Sequence, residues 1–159
     1  RGGVMRREGI SIAVLTVIAA LAVGSVAPTE AGAEDAKAAE STAAAAPDNG
    51  IVAYYFHGNK RCSTCRKLEA YSEEAITGGF VSELESGSLE WLVVNTDEKA
   101  NAHFVTDFEL VTKSVVLVEY RDGEVVRFKN LKLVWQLVGD QDGFVRYVRD
   151  ETADFLAEG

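Results

Sequence analysis

The chain of 159 residues has only two cysteines, two prolines, two histidines and one methionine, and both prolines lie before residue 48. Two thiols can neither build a disulfide-dense mini-scaffold nor fill a four-thiolate zinc site. Positive charge is also scarce: 16 Lys and Arg face 25 Asp and Glu, a net charge of −9. That balance excludes a general nucleic-acid binder, which needs a concentrated basic surface. The sequence has no Gly-rich phosphate loop, because Gly78-Gly79 lacks both the spacing and the lysine, and it has no flavin or nicotinamide fingerprint. No cofactor is therefore expected. What is present is a 47% hydrophobic fraction, enough for one ordinary domain with a core.

The N-terminal third is of a different character from the rest. Met5 reads as a start, followed by Arg6-Arg7 and an apolar run from Ile10 to Ala27 that Pro28 ends. Ala31-Gly32-Ala33 supplies the small-x-small pattern of a signal-peptidase site, so residues 1–33 read as a cleaved signal peptide or an uncleaved N-terminal anchor. Either reading places the rest of the chain outside the cytoplasm, periplasmic, secreted or membrane-tethered, and touching a membrane only through that segment if uncleaved. Residues 34–50 are mostly Ala with small polar and charged residues and no aromatic side chain, as expected of a disordered linker.

Residues 51–159 carry dense patterning. Ile51 to His57 is a β-rich run, and Cys62-Ser63-Thr64-Cys65 opens a helical segment with Leu68, Tyr71 and Ala75 on one face. Gly78-Gly79 should stop it, and Phe80, Val81 and Leu84 suggest a short further helix. Trp91 to Val94, four consecutive apolar residues, predict a strand buried on both faces. Asp97 is placed to cap a helix running to about Phe108, with Phe104, Val105 and Phe108 inward. Ser114 to Tyr120 and Val125 to Phe128 read as two strands joined across Asp122-Gly123, a strong hairpin signal. Two helical stripes close the chain, Leu131-Val134-Trp135-Val138 and Phe144-Tyr147-Val148-Phe155, separated at Gly139-Asp140. Trp91 and Trp135 read as packing residues.

The order β-α-β-α-β-β-α, with Cys-x-x-Cys between the first strand and first helix, resembles the thioredoxin fold over nearly all of residues 51–159. The resemblance implies an α/β domain with a central mixed four-stranded sheet and helices on both faces. A narrower likeness is to the ArsF family of small secreted thioredoxin-like proteins, carried by Tyr54-Tyr55-Phe56-His57-Gly58-Asn59, Cys62-Ser63-Thr64-Cys65-Arg66, Leu89 to Asn95, Asn101-Ala102-His103-Phe104, Thr112 to Val118 and Val134-Trp135. Members of that family are named as a subunit of a nitrophenyl-compound nitroreductase. The likeness thus implies a thiol-bearing accessory subunit, with flavin chemistry on a partner enzyme. The thioredoxin likeness implies that Cys62 is the exposed nucleophile and Cys65 the resolving thiol, meeting a protein redox partner through the Cys62 face. It also marks two departures. Thr112-Lys113-Ser114 occupies the place of the cis-proline opposite the dithiol, and the first strand has no buried carboxylate.

The residues themselves support thiol chemistry. A cysteine at a helix start meets unpaired amides that favour the thiolate, and Lys60, Arg61, Arg66 and Lys67 put four cations within eight positions. Two bland or different readings stay open. In an oxidising compartment the pair could be a structural disulfide inside an interaction subunit, although closing so short a loop contributes little. With His57 the same dithiol could capture a soft metal or metalloid, although a lone His at a strand end is more often structural. His103 reads as a packing or surface residue, and Glu69, Glu73 and Glu74 as a solvated helix face paired with Arg66 or Lys67.

Overall fold

A computed structural model describes residues 47–159. The expectations for residues 1–46, signal or anchor and most of the linker, lie outside the described residues. Among the described residues no helix is long and apolar enough to cross a membrane.

The elements follow the expected order. Strand β1 (Gly50–His57) leads to α1 (Ser63–Gly79) and the short α2 (Val81–Ser86), then β2 (Leu89–Asn95). A 3₁₀ turn at Lys99–Asn101 precedes α3 (Phe104–Asp107), after which β3 (Ser114–Arg121) and β4 (Glu124–Asn130) form a hairpin. Helices α4 (Val134–Leu137) and α5 (Gln141–Ala157) close the chain. The sheet order is β2-β1-β3-β4, with β1 parallel to β2 and antiparallel to β3, and β3 antiparallel to β4. This is the thioredoxin-like topology, an α/β fold with a mixed four-stranded sheet.

Alternation along β1 divides the core in two. Ile51, Ala53 and Tyr55 face a cluster with Leu68, Ala75 and Ile76 of α1 and Phe144, Val148 and Phe155 of α5. Val52, Tyr54 and Phe56 face the other way, against Phe104, Phe108, Val116 and Val118. Helices thus cover both faces. On the second face Tyr54 and Phe56 stack at 5.0 Å, and the hydroxyls of Tyr54 and Tyr120 bond at 3.1 Å.

Three local expectations are corrected. Strand β2 lies at the sheet edge, so only its Leu89 and Val94 are buried; strands β1 and β3 are the ones covered on both faces. Asp97 caps no helix: the chain makes a 3₁₀ turn before the single-turn α3, and Val105 faces solvent while Phe104 and Phe108 point in. Helix α1, by contrast, ends at Gly79 with Phe80 as its C-cap, as the Gly78-Gly79 pair predicts. Residues 48–50 of the expected linker belong to the domain. Gly123 N–H donates to the Asp48 carbonyl (2.8 Å), Asp122 N–H donates to Asn49 Oδ1 (3.2 Å), and Gly50 begins β1. The turn they brace has positive φ at both Asp122 (52°) and Gly123 (78°), as the Asp-Gly pair demands.

One ionic cluster ties the hairpin to the C-terminal helix. Buried Glu119 on β3 accepts from Arg121 Nε (2.8 Å) and Arg127 Nε (2.5 Å), and Arg127 Nη2 donates to the Phe155 carbonyl (2.6 Å). Arg127, then Arg121, holds the Glu119 carboxyl below its ordinary pKa. A depressed carboxylate pKa gives stability that is present above the ordinary carboxylate range and lost as pH falls through the lowered value. Glu119→Gln should therefore cost about 2 kcal/mol at pH 7, the scale of hydrogen bonds to charged groups. Urea unfolding at a series of pH values checks this, and the gap from the parent chain should close as the medium becomes acid.

Candidate active site: the Cys62–Cys65 disulfide

The site forms where β1 hands the chain to α1, at the carboxyl end of a central strand. Cys62 is the N-cap residue of α1, with extended backbone (φ −77°, ψ 167°), and its Sγ accepts from the Cys65 N–H at 3.2 Å. No acidic residue sits in the first turn to compete for the unpaired amides there. The two cysteines form a disulfide with Cα atoms 5.1 Å apart. Their exposures differ sharply: Cys62 is exposed, whereas Cys65 is 2% exposed. An incoming thiolate therefore meets Cys62, and Cys65 stands behind it. The structure brings together the two sequence-predicted site residues, one exposed and one buried.

Three supports hold this geometry. Tyr55, fully buried on β1, sends its hydroxyl up to the Cys65 carbonyl (2.7 Å). The loop between β1 and α1 is pinned to the end of β2. Asn59 N–H donates to Asp97 Oδ2 (2.7 Å), Asn95 Nδ2 donates to Asn59 Oδ1 (2.8 Å), and both Thr96 N–H and Thr96 Oγ1 donate to the His57 carbonyl. Gly58 permits that approach, since a Cβ there would stand 2.8 Å from Asp97 Oδ2. The third support is the Arg61 guanidinium, which bonds His57 Nε2 (3.1 Å) and forms an ion pair with Glu69.

Arg61 also decides the state of His57. Nδ1 lies 3.0 Å from the Gly58 carbonyl and so carries the proton, leaving Nε2 to accept from Arg61. Burial, aided by the Arg61 charge and opposed by the Gly58 bond, pushes the imidazole below its ordinary pKa, so it is neutral near pH 7. With both ring nitrogens engaged, His57 offers no lone pair to a metal. Among the described residues no group of three His, Cys, Asp or Glu could hold a metal ion. His103 is a surface residue, its ring 4.1 Å from Phe104 and its Nδ1 on the Ala100 carbonyl. Glu69 pairs with Arg61 rather than with Arg66 or Lys67, because Arg61 folds back over the first turn of α1.

The wall opposite the β1–α1 loop is the segment before β3, Thr112-Lys113-Ser114, which contains no proline. Side chains fix it instead: Ser114 Oγ donates to the Thr112 carbonyl (2.9 Å), and Trp135 Nε1 donates to the Lys113 carbonyl (2.9 Å). Trp135 is 37% exposed, so it is a strut for this loop and not the core residue its helical stripe predicted. Between the two walls lies a cleft of about 450 Å³, lined by Gly58, Lys60, Asp97, Val111, Thr112 and Lys113 among others. Tyr55, Asp97 and Trp135 are supports that sequence reasoning missed. Their only sequence signal was a polar tip on an otherwise apolar residue, or a carboxylate near a strand end, and their partners are 10, 38 and 22 residues away.

The chain is similar to several solved thioredoxins. These include thioredoxin f2 of Chlamydomonas reinhardtii (16% identity, 59% of this chain and 82% of that one, TM-score 0.34) and the thioredoxin of Trypanosoma brucei brucei (14%, 64% and 80%, 0.34). The oxidised thioredoxin of Plasmodium falciparum is a third (20%, 57% and 80%, 0.31). No family model and no curated protein matches the chain, so the ArsF likeness rests on the sequence motifs alone. The thioredoxin-like assignment rests on the strand order and on the dithiol at the start of α1.

Burial pushes the Tyr55 hydroxyl up to a pKa of about 12. A raised pKa means that its stabilising effect is complete below the ordinary tyrosine value near 10 and is lost as pH rises through about 12, for about 3 kcal/mol in all. Tyr54, Tyr120 and Tyr147 are raised by burial as well, so alkaline unfolding should be shared among them. Tyr55→Phe should cost about 1 kcal/mol at pH 7 through the lost bond to Cys65, yet lose less stability than the parent between pH 10 and 12. Chemical unfolding followed by circular dichroism at both ends of that range measures the two effects.

Proposed function

We propose that residues 50–159 carry out thiol–disulfide exchange through Cys62 and Cys65, as the dedicated redox partner or accessory subunit of another protein. One observation carries the reading: the exposed sulfur sits at the amide-rich start of α1, and its disulfide partner lies buried directly behind it. In the reduced form the Cys62 thiolate attacks one sulfur of a partner disulfide, forming a mixed disulfide and releasing the other partner sulfur as a thiolate that takes up a proton. Cys65, deprotonated, then attacks Cys62 Sγ and frees the second partner thiolate, which is protonated in turn. The partner gains two electrons and two protons, and Cys62–Cys65 becomes the disulfide. A partner dithiol reverses the sequence.

The surrounding groups fit this chemistry. The helix start and the cations beside it favour the attacking thiolate. The missing carboxylate under the dithiol and the loop without a proline both favour a dedicated exchanger over a general disulfide reductase. The motif likeness to the ArsF family supports a place beside a nitroreductase whose flavin chemistry belongs to a different subunit. The apolar run and small-x-small exit before residue 34 support an extracytoplasmic setting. A structural disulfide is the weaker reading, since a staple has no reason to leave one sulfur open at a helix start.

Exposure to a small disulfide should leave Cys65→Ser trapped as a mixed disulfide at Cys62, while Cys62→Ser forms none; mass spectrometry reads both. The reduction potential of the pair should fall between about −120 and −270 mV, the span of thioredoxin-like exchangers. A value below about −300 mV would make the bond a staple and overturn the proposal.

A further inference from the structure

We propose that the partner segment received at Cys62 is acidic, held by cations of the loop before the exposed sulfur, of the helix turn after it and of the neighbouring cleft; this deepens the exchange reading and rests on it. Lys60, exposed in the loop two residues before Cys62, and Lys113, in the loop before β3, line the same cleft of about 450 Å³. After Cys62 in the chain, Arg66 and Lys67 are exposed near the start of α1. Among the described residues none of these four cations makes an ion pair. Of the acids nearby, Glu69 pairs with Arg61 and Asp97 accepts the Asn59 N–H at 2.7 Å, while Glu73 shares a shallow pocket with Arg66.

This concentration stands against the rest of the domain. Residues 50–159 hold 12 Lys and Arg against 19 Asp and Glu, and five of the twelve lie at Lys60, Arg61, Arg66, Lys67 and Lys113. At physiological ionic strength charges are screened over about 8 Å, so a docking chain feels the local cations more than the distant acids. The cations are spread across a loop and one helical turn of about 5.4 Å. A lone carboxylate meets one of these groups, whereas acidic residues flanking a partner cysteine meet both the loop and the helix. Val111, 96% exposed on the rim of the same cleft, offers an apolar contact between the charges. Such complementarity acts chiefly on the rate of encounter and on the choice of partner.

The test uses the full reduced chain and three probes. Two are disulfide peptides of equal length with Asp/Glu or with Lys flanking the bridged cysteines, and the third is uncharged bis(2-hydroxyethyl) disulfide. Second-order rate constants from stopped-flow should favour the acidic peptide over the basic one by about tenfold in low salt, and the ratio should approach one near 1 M salt. In Lys60→Glu/Lys113→Glu the ratio should fall to one or invert. Equal rates on the two peptides, or a preference that this double variant leaves in place, would overturn the acidic partner alone. Failure to reduce the uncharged disulfide would overturn the exchange reading, and the present inference with it.

Discussion

Strand β1 has no solvent face, and the rest of the domain is arranged around that constraint. Every residue from Ile51 to Phe56 is buried, with neighbouring strands on both edges and helices over both sides. A one-residue slip would exchange Tyr55 with Tyr54 or Phe56 between two differently shaped cores, so the register is strongly specified. The consequence reaches the dithiol through two routes. Tyr55 projects from the strand onto the Cys65 carbonyl, and the strand's last residue, His57, starts the loop that ends at Cys62. The exposed sulfur is thus placed by a strand that is buried on both faces.

The loop itself is organised by polar groups that cancel one another's charge. Arg61 is held between a neutral imidazole and a carboxylate, Asp97 is spent on a backbone amide, and both nitrogens of His57 are occupied. None of these groups is left to act as a general base at the sulfurs. In the proposed exchange, activation of the nucleophile falls instead to the helix start and to the cations that remain unpaired among the described residues, which favour the thiolate through fixed dipoles and charge. Exchange needs no more than this, because its rate follows the fraction of thiolate and the access to it.

The parts legible in the sequence were those with a local cause. Asp122-Gly123 required two positive φ values and produced the turn; Gly139-Asp140 separated two helical stripes, with Asp140 accepting from the Gly143 N–H as the cap of α5. Cys62 and Cys65 were readable because three-residue spacing at a helix start brings the sulfurs together. What failed had a nonlocal cause. Trp91 to Val94 looked like a central strand because a run of apolar residues does not reveal which neighbours will flank it, and β2 became an edge. Trp135 kept a helical spacing yet turned its indole to a carbonyl 22 residues away. Asp97 had the composition of a helix cap but found its amide across the sheet end, at Asn59.

The loop opposite the dithiol shows how one constraint can be replaced by others. Proline would fix φ through its ring, a property of the residue alone. Thr112, Lys113 and Ser114 have no such ring, and their conformation depends on the Ser114 hydroxyl and on the Trp135 indole reaching in from α4. Two hydrogen bonds, each worth about 1 kcal/mol net, hold this segment where no ring does. The wall of the cleft is therefore coupled to the packing of α4, whose Val134 is buried against the core that also holds Tyr55. Lys113 stands beside the cleft and gives it a charge that a proline could not supply.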